Sequence, residues 1–306
     1  MHDEHDQSAQ DSTTTPSQPY IGSADPGEAE RLAAQEAGAL DELRAALALH
    51  TPVPYTRVLE LGCGSGVFTQ ALLTALPDAT ITATDRDETL LSSARERLAA
   101  DVQRGRVTFA RADVVNLPYP ARSFDLVACR CLLMHQPDPL LVVAEMYRMA
   151  SVGGLALAIE PDWGARALYP DGEALAELLD LARLARPFGF PDLLLGRKLY
   201  ALLRAAGFVQ IHLRATAFSE TAGDRAFQQA LAPRDAVAMP TGPARLLAQG
   251  RALIRSAGLV DDAAIDALIA RLDAIHHHPE YCSAGLDLTA VAVKPAVSIP
   301  LGERYR

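Results

Sequence analysis

The chain has 306 residues, 49% hydrophobic and 22% charged, with a formal net charge of −10. That acidity, with no Lys/Arg cluster, argues against binding to phosphate backbones, while the length admits one large domain, or a domain with additions, around a sizeable core. No apolar run approaches the roughly 20 residues that span a bilayer, the N-terminus lacks the basic-then-apolar pattern of a signal peptide, and the cysteines Cys63, Cys129, Cys131 and Cys282 form no CxxC pair; a cytoplasmic, disulfide-free protein is expected.

Residues 1–18 are almost devoid of apolar side chains and read as a disordered tail. A helix is predicted from Asp25-Pro26-Gly27-Glu28, an N-cap followed by proline at the first helical position and a capping-box acid. It runs to about His50, before Thr51-Pro52-Val53-Pro54. Short apolar strands then alternate with helices. The strands are predicted at 57–61, 79–84, 107–111, 124–129 and 154–160, with helices at 66–76, 87–99 and 139–149. Such alternation implies a parallel sheet covered on both faces, with ligands at the carboxyl ends of its strands. Beyond Glu160 the pattern predicts helices at 172–186 and 196–206, strands at 209–217 and 286–294, and an Ala- and Leu-rich helical region over 222–275. Segments 163–195 and 219–283 read as helical additions over the open end of the sheet, where substrate is selected.

Val58-Leu59-Glu60-Leu61-Gly62-Cys63-Gly64-Ser65-Gly66 is a strand that ends through an acid into a glycine turn. Glycine lets the backbone touch a ligand. The carboxylate of Glu60 would repel a pyrophosphate and welcome a cation. S-adenosylmethionine (SAM) carries an ammonium and a sulfonium and no phosphate. Gly62, Cys63 and Gly64 therefore read as its cradle. Asp85, at the end of the next strand, suits the two ribose hydroxyls, and Asp87 suits the cap of the following helix. After the third strand, the Asp113 side chain and the Val114 amide can read adenine. Arg130 can meet the carboxylate of a bound amino acid, or form an ion pair.

Together with Thr84-Asp85, Ala112-Asp113, Phe124-Asp125-Leu126-Val127, Met134-His135-Gln136-Pro137-Asp138 and Gly153-Gly154, these motifs make residues 56–160 resemble a class I SAM-dependent methyltransferase. The resemblance implies an α/β Rossmann-like fold with a seven-stranded, mostly parallel sheet whose last strand is antiparallel. It also implies SAM as cofactor, with S-adenosylhomocysteine (SAH) as product, and Arg86 over the adenine face. Tyr20-Ile21-Gly22, Glu30-Arg31-Leu32, Leu133–Pro139 and Glu160-Pro161-Asp162-Trp163 are similar to the branch that tailors small natural products. In that branch the segment 19–52 is a lid, residues 53–162 are the SAM-binding core, and 163–306 complete the sheet and select the substrate. Tyr20 would face cofactor or acceptor, or else staple the helix. The branch allows a homo-oligomer with exchanged N-terminal helices.

His135 is the general-base candidate, with a structural or SAM-contacting role as the alternative. Asp162 and Trp163 should line the acceptor side. Phe188, Phe190 and Tyr200 fit a small, mostly apolar acceptor, and no nucleic-acid or membrane partner is expected. His276-His277-His278 are adjacent and point apart, so no metal site is expected. Two other readings compete. One is a nicotinamide-dependent oxidoreductase; the other is a SAM-binding protein that assists cyclisation without methylating.

Overall fold

The computed structural model describes residues 39–49, 54–223 and 242–296. Tyr20, the tail and the first part of the predicted N-terminal helix lie outside the described residues. The described end of that helix is α1, Ala39–Leu47. The core then runs β1 Arg57–Leu61, α2 Val67–Ala75, β2 Thr80–Asp85, α3 Glu88–Arg97, α4 Ala99–Gln103, β3 Val107–Arg111, β4 Phe124–Arg130, α5 Pro139–Met149 and β5 Ala150–Tyr169. It continues with α6 Gly172–Ala185, α7 Leu199–Ala206, β6 Val209–Thr221, α8 Gly242–Ser256, α9 Asp262–His276 and β7 Cys282–Val293.

The helix starts follow their caps. Asp87 accepts from the amides of Thr89 and Leu90 and starts α3. Asp138 accepts from Leu140 and is followed by Pro139 at the head of α5. Asp171 and Asp261 start α6 and α9 in the same way. Each cap contributes about 1 kcal/mol.

The seven strands are ordered β3-β2-β1-β4-β5-β7-β6. β1 to β5 are mutually parallel, and β7 runs antiparallel to both β5 and β6. Alternate strand residues feed two cores. Leu59, Leu61, Val127, Cys129, Ala156 and Ala158 pack under α5 to α9. Val58, Ile81, Leu126, Leu157 and Val291 pack under α1 and α2.

The sheet departs from expectation at its far side. β5 does not stop at Glu160 but continues to Tyr169, and β7 pairs with it along this length. β6 likewise reaches Thr221 against Cys282. Residues 163–169 and 219–221, expected in helical additions, instead form a three-stranded blade rising past the carboxyl edge. Gly164 and Pro161 read as strand breakers in the sequence. In the fold, residues 163–166 bulge opposite a single partner between the paired positions Asp162 and Ala167, which accommodates Gly164, while Pro161 stays in register with Asp287.

Candidate active site

The cofactor end is held by backbone. The amide of Gly64 donates to Oδ2 of Asp85 at 2.9 Å and the amide of Asp87 donates to its Oδ1 at 3.0 Å. Cys63 N–H donates to the carbonyl of Thr84. The end of β2 is thus tied to the turn after β1. Burial pushes the Asp85 carboxyl up, and the amides of Asp87, Gly64 and Arg86 oppose that rise. Both oxygens keep a second lone pair for a ribose hydroxyl.

Gly62 has φ +65°, and a Cβ there would meet the Leu132 side chain at 2.7 Å. Backbone therefore stands where any other residue would protrude. Ser65, 2% exposed, has a buried hydroxyl with no hydrogen-bond partner. This cradle, with one unsatisfied hydroxyl and a carboxylate at the next strand end, fits a nucleoside with a small amino-acid tail. Glu60 lies underneath. It is 1% exposed, accepts from the Thr69 hydroxyl at 2.6 Å, and burial pushes it up to about 8. Its side chain is thus turned towards α2.

Asp113 is exposed and accepts from the amide of Val115 in its own turn; Val114 is buried. Arg86 is half-buried, and its carbonyl accepts from Arg111. Arg130 leaves the end of β4 towards α1. Its Nε is 3.9 Å from a Glu42 carboxylate oxygen, with the two side chains 15% and 6% exposed. That Nε is buried and makes no hydrogen bond.

Glu160 accepts from the amides of Leu132 at 2.9 Å, Leu133 at 2.6 Å and Met134 at 3.4 Å. It thereby fixes the short helical turn Leu133–His135 that carries the half-buried His135 beyond β4. Burial pushes Glu160 up to about 8 against these three amides. No signal in the sequence marked this role except an acid at a strand end.

The predicted acceptor residues do not gather in one place. Asp162 takes a two-point ion pair from Arg197, at 2.9 and 2.8 Å, and its acceptor capacity is largely committed there. Phe190 is fully buried in the core under α5 to α9, against Gly250. That is the face opposite α1, because the ring fills the gap a glycine leaves in α8. Phe188 and Tyr200 are exposed, at 42% and 43%, with Tyr200 on α7. Trp163 does sit on the blade. The Arg166 guanidinium lies 5.0 Å from the centre of its ring and 5.4 Å from that of Phe218, and Arg166 Nε donates to Ser283 at 3.0 Å. Glu42, Arg166, Thr216, Phe218, Asp287 and Thr289 were not singled out from sequence. Asp287 carried the one readable signal, a charge inside the apolar alternation 286–294.

Among the described residues, no group of three or more His, Cys, Asp and Glu side chains converges as a metal site, and no helix is long and apolar enough to cross a membrane.

The sheet order, the glycine cradle and the acid ending β2 are those of the class I SAM-dependent methyltransferase fold. Residues 58–154 match the family described as a methyltransferase domain. The chain is 28% identical over 186 residues to a demethylmenaquinone methyltransferase of Geobacillus stearothermophilus, covering 54% of this chain and 76% of that one. It is 38% identical over 100 residues to a ubiquinone biosynthesis O-methyltransferase of Pseudomonas putida, covering 32% and 41%. Against two of the curated relatives it matches, the chain spans 43% and 41% of their length. A putative methyltransferase from Bacillus halodurans C-125 shares the fold, with a TM-score of 0.53, 17% identity, and coverage of 84% of this chain and all of that one.

Proposed function

We propose that the protein transfers a methyl group from SAM to a small-molecule acceptor. The observation that carries this reading is the cradle: the Gly62–Gly66 turn bonded through the Gly64 amide to Asp85. SAM, when bound, supplies an activated methyl on a sulfonium. Gly62, Cys63, Gly64 and Asp85 hold its ribose and amino-acid portions, Asp113 and Val114 its adenine, and Arg86 the adenine face. Arg130 faces the carboxylate end. The chain's remaining work is to orient the acceptor and exclude water, with reacting atoms about 3–3.5 Å apart. His135, held by the turn that Glu160 fixes, is placed to contact cofactor or acceptor; with an acceptor that must lose a proton, it is the base.

The relatives named for demethylmenaquinone and ubiquinone biosynthesis favour a ring-bearing, largely apolar acceptor. A tailoring role, a homo-oligomer with exchanged N-terminal helices and a cytoplasmic location complete the proposal. Calorimetric titration tests it. SAM and SAH should bind at one site, and NADH should not. Binding of NADH without SAM overturns the reading.

A further inference from the structure

The face covered by α1 carries polar groups that nothing in the described protein satisfies. Asp287 on β7 stands opposite Thr216 on β6 and opposite Pro161 on β5. Oγ1 of Thr216 is buried and has no hydrogen-bond partner. Asp287 is half-buried; the charged groups acting on it are Arg130 and Arg166, and both act at Coulombic range without a hydrogen bond. One level below, Arg130 pairs in register with Ile159, and Ile159 pairs with Thr289. The Nε of Arg130 is the second buried atom on this face without a partner. Pro161, which has no N–H, floors the space between Arg130 and Asp287.

Buried polar groups are seldom left unpaired in native proteins. Two on one face, beside the half-buried Asp287 at the carboxyl edge where ligands bind, point to a missing partner that is itself polar. Its charge follows from the surroundings. Glu42 and Asp287 interact with Arg130, and Glu42 also with Arg214. Arg166 faces Asp287, Glu220 and Tyr281. Three carboxylates thus oppose three guanidiniums. Cys131, in the same field, stays neutral because burial pushes it up to about 12, and burial also raises Tyr281. An anionic ligand would meet Asp287 and Glu42; a cationic one would meet Arg130 and Arg166. A neutral group that donates to Asp287 and accepts from Thr216 or from Arg130 satisfies the carboxylate and one of the two unpartnered donors together.

We infer that Asp287 and Thr216, with Arg130 beside them, form the subsite that takes a neutral hydroxyl of the acceptor, an alcohol or a phenol. The inference rests on the methyl-transfer reading for the word acceptor alone. Trp163 and Phe218 flank the Arg166 guanidinium, at 5.0 and 5.4 Å from their ring centres.

The test uses the full chain and three probes on one ring: 2-naphthol, 2-methoxynaphthalene and 2-naphthoate, each titrated calorimetrically with and without SAH. The naphthol is expected to bind at least about tenfold tighter than the other two, as a hydrogen bond to a charged group warrants. Asp287→Ala and Thr216→Val should each remove about that factor for the naphthol and leave the methoxy compound unchanged. Asp287→Asn keeps the shape should the alanine variant fail to fold. Thr216→Val should leave the thermal midpoint unchanged or raise it, because it deletes a buried hydroxyl without a partner; a merely structural threonine would lower it. Equal affinity for the three probes, no measurable heat with any of them, or a loss common to all three overturns the subsite. Failure of SAH to bind overturns methyl transfer instead, and the naphthol preference is still read without it.

Discussion

Two carboxylates at the carboxyl edge of one sheet are treated in opposite ways. Asp85 ends β2 and accepts two backbone amides at 2.9 and 3.0 Å. Asp287, on β7, is acted on by the Arg130 and Arg166 guanidiniums at Coulombic range. The cofactor side is therefore organised by main chain, before any ligand arrives. The acceptor side is organised by side chains whose bonding is left open. Backbone geometry suits a ligand common to a whole class of proteins, whereas open side chains suit the part that differs between members.

Asp85→Ala attacks the organised side most directly. It removes the ribose acceptor and strands two amides, each costing about 1–3 kcal/mol. SAH affinity should fall by more than about 100-fold in calorimetry; an unchanged value refutes the ribose assignment. Gly62→Val comes next. It places a branched side chain at φ +65° against Leu132, and the left-handed conformation alone costs about 1–2 kcal/mol. Thermal denaturation should register that loss together with weakened SAH binding. If stability is kept, the turn is not as rigid as the comparison requires.

A smaller effect separates the interior of the cofactor side from its surface. Glu60 holds its proton more tightly folded than unfolded, since burial moves it from 4.5 to about 8. Its contribution to stability is complete below pH 4.5 and is lost as pH rises towards 8. Glu160 acts with the same sign. Glu60→Gln, neutral at every pH, should flatten part of the decline in urea-unfolding free energy across that window. An identical slope in both proteins would show Glu60 ionised throughout. The smallest effect belongs to Tyr200→Ala. At 43% exposure on α7, the change should stay within about 0.5 kcal/mol of stability and leave SAH and 2-naphthol binding unaltered. A tenfold loss for 2-naphthol would return Tyr200 to the acceptor site.

The same division governs what could be read from the chain. Strands β1 to β4 were legible because they are short apolar runs that end at polar motifs, with Asp87 and Asp138 capping the helices after β2 and β4. Glu60, Gly62 and Asp85 stood out because a glycine turn between an acid-bearing strand end and a helix has few purposes. The blade was not legible. Pro161 and Gly164 punctuate the sequence like a strand end, and only pairing to β7, more than a hundred residues later, carries β5 through them. The aromatics Phe188, Phe190 and Tyr200 were assigned by residue type. Which face a residue joins depends on helix packing, and Gly250 draws Phe190 into the opposite core. Glu42 and Thr289 meet through a hydrogen bond across 247 residues of chain, a distance no local pattern reports.

That long-range bond has a consequence for synthesis. β7 is the last of the described strands in sequence, yet it lies between β5 and β6. At about 5–20 residues per second, β5 and β6 wait on the ribosome for seconds with facing edges unpaired, a state prone to intermolecular pairing. Thr289 reaches Glu42 only when β7 is in place. The helix α1 is made before every described strand and takes its bond to Thr289 only once β7 is in place.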